Sequence, residues 1–551
     1  MALPDSLVSR LCRWRRLLPE ALAVGLCLIA LLAAAWVATA VFDRVPHVED
    51  ELAYLFQART IASGRLLADA PAQPEFFDAP FLLIRDGKWF GKYTPGYPMV
   101  LALGARVGQP WLVNPVFGAL SVGLVYLAGR RLYGAPTGLL AAALMTISPF
   151  FLLQSGSWMS HVVCLFWALL FLLLFEMASR GSEVAALFAG MALGILFLSR
   201  PLTAVAIAVP YTLWAGIDIL RSPRRLPPYL PVLMGFLPFG ASLPAYNYLT
   251  TGDPLRSAYE LYWPFDKVGF GPGAGPDGGH TLAIGWLTTR QNLELLANYL
   301  FGWPGRLSLA PAALAAALAV LRLVWRALRE RGIDTPGQSN ARLTDPVTPR
   351  SPPASGSPVR APRFPEAWDL LHIGVAASLV AAYVAYWHGL PMYGPRYYFE
   401  ALGALVLLSA RGLLQVAALS AALLGRAVPA LPRPRVWVTA AMLAVVAGLT
   451  AHSFTHFAPQ EFRRHVRWYT IDGSGVRLVR AAKLQNAVVF VTRVKQPEYA
   501  WLDYAPFFSQ NVPSLDSDVV YAIDLGDDHN RTLMARYPGR AFYRYKEGTL
   551  T

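Results

Sequence analysis

The chain has 551 residues, of which 55% are hydrophobic and only 15% charged, with a formal net charge of +14 at pH 7. Soluble globular domains carry about 25% charged residues, so this composition excludes a water-soluble globule and points to a polytopic membrane protein. The positive charge reads as an orientation signal, because no Lys/Arg-rich patch is interleaved with the aromatics that stack bases, which excludes nucleic acid as a partner.

Residues 1–20 form an Arg-bearing N-terminus placed in the cytoplasm, followed by an apolar run from Ala21 to Phe42. That run is too long for a usual signal-peptide core and right for a span. Immediately after it, Val45 to Gly64 packs His47, Glu49, Asp50 and Glu51 into five residues. Adjacent carboxylates are costly to keep beside a bilayer. A helix dipole accounts for acids in a first turn. It does not account for Tyr54 and Gln57, which fall on the face of Asp50 at i+4 and i+7 and aim a carboxylate and a phenol at a common space.

Tyr93-Thr94-Pro95-Gly96-Tyr97-Pro98 reads as a rigid turn. The apolar helix after it, about 11 residues, is too short to span and is expected to lie flat at the membrane surface. Further apolar runs near 111–128, 136–153, 161–178, 184–199, 201–220, 227–249, 309–327, 367–388, 396–420 and 435–454 bring the expected spans to about eleven. Arg130, Arg131, Arg180, Arg221, Arg322, Arg326 and Arg426 then share the side of the N-terminus, which makes that side cytoplasmic. The other side receives loops 43–110 and 250–308, a short loop around Gln154–His161, the turns Ser199–Pro201 and Gly389–Tyr398, and the C-terminus. Arg200 and Arg396 breach its arginine-poor rule, and Arg411 falls inside a span without a functional explanation.

Residues 332–365 are rich in Pro, Ser and Gly and read as a disordered cytoplasmic linker. Loop 250–308 reads as a mobile, aromatic-rich loop over a cavity, with Glu260, Asp266, Lys267 and His280 as its polar groups. Its glycines lack the strand-to-helix context of a phosphate cradle. In the tail, 486–492, 518–525 and 540–545 read as strands of a small α/β domain spanning 456–551 on the non-cytoplasmic side.

Charge therefore clusters at one water interface instead of lining the spans, which suits a substrate that is half lipid and half polar. Sugar transfer from a polyprenyl phosphate needs an Asp or Glu to take the acceptor's proton and cations to hold the departing phosphate. Asp50 and Glu51 offer the first, and Lys88, Lys92, Arg200 and Arg396 the second. A divalent metal is a candidate cofactor, with Glu51 and His161 its candidate ligands, although the spacing specifies no site.

The order of these features resembles the GT-C superfamily of polyprenyl-phosphate-sugar-dependent glycosyltransferases. The likeness is to bacterial members related to protein O-mannosyltransferases and to the aminoarabinose transferases of lipid A. The likeness rests on Asp50-Glu51-Leu52-Ala53-Tyr54, on Tyr93 to Pro98, on Leu198-Ser199-Arg200-Pro201 and on Tyr393-Gly394-Pro395-Arg396-Tyr397-Tyr398. It implies an all-α GT-C-like membrane domain over 21–454 with interfacial helices and the C-terminal domain described above. Asp50 would be the catalytic base, with Glu51 beside it. Arg200 and Arg396 would hold the lipid phosphate, with Tyr54, Lys92, Tyr93, His161, His280 and Tyr397 as further substrate-binding candidates. Some relatives place a second acid in the outer loop where this chain has Ser157-Trp158-Met159-Ser160-His161, so that acid is replaced by His161 or absent.

The expected protein is an inverting glycosyltransferase of a bacterial inner membrane, working on the outer face. Its partners would be a polyprenyl-phosphate sugar donor, membrane lipids and a glycan, lipid or protein acceptor. The alternative is a non-enzymatic lipid-linked-saccharide binder, flippase or carrier.

Overall fold

The computed structural model describes residues 5–330, 365–389 and 391–551, so all but the last residue of the expected linker lies outside the described residues. The chain runs through α1 (Asp5–Trp36), α2 (Glu49–Ala62), α3 (Gly96–Arg106), α4 (Val113–Tyr133), α5 (Ala135–Thr146), α6 (Pro149–Gly156), α7 (His161–Ser179) and α8 (Glu183–Ser199). It continues through α9 (Pro201–Arg221), α10 (Leu230–Thr251), α11 (Ala258–Tyr262), α12 (Leu282–Tyr299), α13 (Ala310–Glu330), α14 (Pro365–Val384), α15 (Leu402–Ala427) and α16 (Pro434–His452).

Every one of the eleven apolar runs is helical, but the number of clear spans is smaller. Among the described residues eight helices are long and apolar enough to cross a membrane: α1, α4, α7, α9, α13, α14, α15 and α16, some with short helical extensions. A ninth crossing exists if α5 and α6 count as one, bent by 62°. The bend has a local cause. Pro149 cannot donate a backbone hydrogen bond, and Ser148 ends the first helix and caps the second by accepting from Phe151 N at 3.2 Å. The helix α8 is 17 residues long, and α10 carries internal Pro238 and Pro244.

Arginine marks one end of the bundle. Arg130 pairs with Glu20, and Arg131 and Arg180 both pair with the buried Glu176. Arg411 belongs to this set: its Nη2 stands 3.2 Å from Asp369 Oδ2 of α14, and its guanidinium lies 4.5 Å from the ring centroid of Tyr133 at the end of α4. Its role inside the span is therefore that of a paired structural charge.

At the opposite end, β1 (Ala68–Asp69), β2 (Leu82–Arg85) and β3 (Lys88–Gly91) make a small antiparallel sheet, turned at Asp86-Gly87 where both residues have positive φ. The tail adds α17 (Ala458–His465), α18 (Ser474–Ala481), α19 (Trp501–Phe508) and α20 (Asp527–Arg536). They surround β4 (Ala487–Val491), β5 (Val519–Ile523), β6 (Ala541–Lys546) and β7 (Thr549–Leu550). The strand order is β5-β4-β6-β7, with β4 parallel to both neighbours and fully buried, as its unbroken apolar run AVVFV requires.

The helix α2 is clamped between these parts. Leu52 and Phe56 join the core of the tail sheet, while Ala53, Tyr54 and Ala58 pack against Tyr97 and Leu101 of α3. Arg59 donates to Asn511 O at 2.7 Å, a further tie from α2 to the tail. The interfacial helix expected after the Pro-Gly turn is α3, which leaves Leu103 exposed along its length and Val107 exposed at its end.

Candidate functional site

A cavity of about 690 Å³ opens where α2, the 92–96 turn, the α8–α9 junction, the 257–268 loop and the 383–397 segment meet. Glu49, Asp50, Lys92, Arg200, Asp266 and Arg396 all line it.

Asp50 is aimed by its neighbour. Glu51 turns away from the cavity and accepts the backbone N–H of His47 at 2.7 Å and of Trp158 at 2.9 Å. It thereby ties the start of α2 to the loop after α6 and fixes which way the first turn faces. Tyr93 donates to Asp50 Oδ1 at 2.7 Å, and Arg396 Nη1 lies 3.6 Å from Asp50 Oδ2. Burial alone pushes the Asp50 carboxyl up. The Arg396 charge, the Tyr93 hydroxyl and the Lys92 charge outweigh it, and Asp50 is held below the usual aspartate range. Burial pushes Glu49 up, with Asp50 adding to the shift, and pushes Glu51 up to about 7.

The Tyr93–Pro98 motif and the Leu198–Pro201 motif are one structural unit. Thr94 donates to Ser199 O at 2.9 Å. A Cβ on Gly96 would stand 2.5 Å from Ser199 Oγ and 2.6 Å from the backbone of Leu198, so only glycine permits this approach. The contact seats the turn that presents Arg200. From there Arg200 donates to Tyr383 at 3.0 Å, to Thr203 at 3.3 Å and to Ser160 at 3.4 Å. The third motif is bent by Gly394, at φ +89°, packed against Phe150 and Tyr299. Arg200 and Arg396 flank the Tyr397 ring at 5.8 Å and 5.2 Å from its centroid.

Lys92 occupies an aromatic cage. Its ammonium stands 3.9 Å from the Phe81 ring centroid and 4.0 Å from that of Trp263, with Asp266 at 3.5 Å. Asp266 is held by Tyr386 at 2.7 Å and by Trp387 at 3.2 Å. Burial lowers the Lys92 ammonium pKa against the opposing pull of Asp266 and Asp50.

The sequence-derived candidates separate into two groups. Asp50, Lys92, Tyr93, Arg200, Arg396 and Tyr397 line the cavity together. Tyr54, Glu51, His161 and His280 do not. Tyr54 lies behind Tyr93, rings 4.3 Å apart, and pairs with Ser160 at 3.3 Å. His161 is fully buried at the start of α7 with Nδ1 3.0 Å from Glu400 Oε1. His280 spends Nε2 on Val384 O at 2.9 Å and braces the 250–280 loop. The end of the long outer loop is also not a loop, because 282–299 forms α12.

Glu51 and His161, the candidate metal ligands, do not converge, since each is committed to a different partner set. Among the described residues no three of His, Cys, Asp and Glu come together as a metal site.

Sequence reasoning missed Glu400, Tyr383 and His388, and named Asp266 only as a polar group of the 250–308 loop. Tyr383 and His388 sit at the end of an apolar run where nothing local marks them. Glu400 did carry a signal, as a lone carboxylate at the entrance of a span, four residues after Arg396.

Residues 95–242 match the family model described as dolichyl-phosphate-mannose-protein mannosyltransferase, a segment that holds the Pro-Gly turn and Arg200 but not Asp50 or Arg396. Residues 487–549 match a model described only as a domain of unknown function. No curated protein sequence matches the chain. Among solved structures, ArnT from Cupriavidus metallidurans bound to undecaprenyl phosphate aligns at 15% identity and a TM-score of 0.49, covering 95% of this chain and 89% of that one. An oligosaccharyltransferase from Archaeoglobus fulgidus tethered to an acceptor peptide aligns at 14% identity and a TM-score of 0.45, covering 94% and 63%. The likeness to mannosyltransferase-related proteins, read from the motifs, is borne out over residues 95–242 by the family match.

Proposed function

We propose that this chain is an integral membrane glycosyltransferase that moves a sugar from a polyprenyl-phosphate donor to a hydroxyl of a glycan, lipid or protein acceptor. The observation that carries the reading is the convergence of Asp50, Arg200 and Arg396 on one cavity. The mannosyltransferase match supports the reaction class. In this reading the cavity, and the tail domain 456–551 beside it, lie on the outer face of a bacterial cytoplasmic membrane, opposite the arginine-rich end of the bundle.

The donor phosphate sits against Arg200 and Arg396. Both present planar guanidinium groups suited to phosphate oxygens, and Lys92 adds charge from the side. The acceptor oxygen attacks the anomeric carbon. As the new C–O bond forms, the bond to the phosphate oxygen breaks and its electron pair leaves with the lipid phosphate. Asp50 takes the acceptor's proton. A depressed pKa keeps Asp50 ionised, and the acceptor proton becomes acidic only as bonding to carbon advances, so transfer to a weak carboxylate base suffices late in the step. A single displacement inverts the anomeric centre.

The test is transfer of radiolabelled sugar from a panel of undecaprenyl-phosphate sugars to a membrane extract by the purified, lipid-reconstituted protein. Product from one donor supports the reading. Tight binding of donors with no transfer from any of them would favour a lipid-linked-saccharide binder or flippase.

A further inference from the structure

Arg396 and Lys92 each face a carboxylate that also lines the cavity, Asp50 and Asp266. Arg200 is different. Its carboxylate partner, Glu400, does not line the cavity and is fully buried, with Oε1 3.5 Å from Arg200 Nε. His161 Nδ1 meets the same oxygen at 3.0 Å, and Oε2 has no hydrogen-bond partner. Glu400 enters from the single 3-10 turn, Arg396–Ala401, that also carries Arg396. Burying a carboxylate with one oxygen unsatisfied is costly. The cost calls for a use.

We propose that Glu400 is a positioning residue that sets how tightly Arg200 holds the lipid phosphate, so that the product can leave; this rests on the polyprenyl-phosphate reading above. The donor is a phosphodiester with one negative charge. The product is a phosphate monoester that gains more charge as the glycosidic bond breaks. A site built from unopposed cations would therefore hold product more tightly than donor. Glu400 places a carboxylate behind Arg200 and His161 Nδ1 meets it, while Tyr383, Thr203 and Ser160 keep the guanidinium in position. Arg200 then orients the phosphate without trapping it.

The experiment measures equilibrium binding of undecaprenyl phosphate to wild type, Glu400→Gln, Arg200→Gln and the double variant, all full-length in nanodiscs at low salt. Replacing the buried carboxylate 3.5 Å from Arg200 Nε by a neutral amide is expected to tighten binding roughly tenfold or more. Arg200→Gln is expected to weaken binding and to remove most of the gain from Glu400→Gln. Under turnover, Glu400→Gln is expected to lower kcat and KM together, the pattern of slowed product release, which a merely structural role would not produce. Unchanged or weaker binding by Glu400→Gln overturns the proposal. So does a gain that persists undiminished without Arg200. Where Glu400→Gln does not fold, Glu400→Asp, which withdraws the carboxylate by one methylene, is expected to tighten binding by a smaller factor, and no tightening overturns it. Failure of wild type to bind undecaprenyl phosphate overturns the donor reading itself, and this proposal with it.

Discussion

Arg396 Nη1 lies 3.6 Å from Asp50 Oδ2, although one residue belongs to the last motif and the other follows the first span. The separation is long for an ion pair, and the Tyr93 hydroxyl is the closer partner of Asp50. Arg396 therefore has reach left for a phosphate while still holding the carboxylate ionised.

Replacing Arg396 should act on both roles. Arg396→Ala is expected to weaken undecaprenyl phosphate binding by one to two orders of magnitude, about 1.5–3 kcal/mol for lost charge-assisted hydrogen bonds. It also removes the largest influence that lowers the Asp50 pKa, so that pKa rises. A base must be ionised to work, so the acid limb of the kcat/KM profile is expected to move to higher pH. An undecaprenyl phosphate titration checks the first effect and a pH series on donor turnover the second.

Gly96 tests the seam between two motifs. Gly96→Ala puts a methyl group into Ser199 and the Leu198 backbone, and overpacking of this kind typically costs about 1–3 kcal/mol. The displaced turn carries Arg200, so KM for the donor is expected to rise. Thermal denaturation alongside donor titration separates the two losses.

Glu51 should govern stability more than chemistry. An amide there cannot accept from both His47 and Trp158, and Glu51→Gln is expected to cost about 1–3 kcal/mol. The folded-state pKa, about 7, lies above the unfolded value of about 4.3. The protonated form is thus the one the fold favours. Its contribution is full below about pH 4.3 and is lost as pH rises through about 7. Thermal stability of wild type is expected to fall across that window, and that of Glu51→Gln to lack this component.

The pair inside the membrane domain should matter to folding alone. Asp369→Asn leaves Arg411 without its carboxylate and is expected to cost about 3–5 kcal/mol. The double change Asp369→Asn with Arg411→Leu should recover much of that loss. Donor KM is expected to stay at the wild-type value in both variants once folded protein is counted.

The sequence made the apolar runs and the buried strand at 487–491 legible, because periodicity and composition act locally, but the common space expected for Asp50 and Tyr54 does not form: Asp50 lines the cavity and Tyr54 lies behind Tyr93. Gln57 also lies outside the cavity, donating to Tyr93 O at 2.7 Å. The break at Ser148-Pro149 was legible in principle, as a cap followed by a proline, but was absorbed into a single apolar run. What could not be read was pairing across the bundle. The Glu400–Arg200 contact joins residues far apart in the chain, and no local pattern distinguishes it from an unpaired acid at a span entrance. His161 and His280 look alike as isolated histidines, yet one is sealed beneath the site and the other braces a loop.

The most direct measurement is single-turnover sugar transfer by Asp50→Asn in lipid-reconstituted protein, with undecaprenyl phosphate binding measured on the same sample. The substitution keeps size and removes the base, so transfer is expected to fall by about a hundredfold or more. The lost negative charge should leave phosphate binding equal or tighter. Transfer at the wild-type rate would contradict the assignment of Asp50 as the base and shift it to Glu49, the other acid of the first turn that faces the cavity.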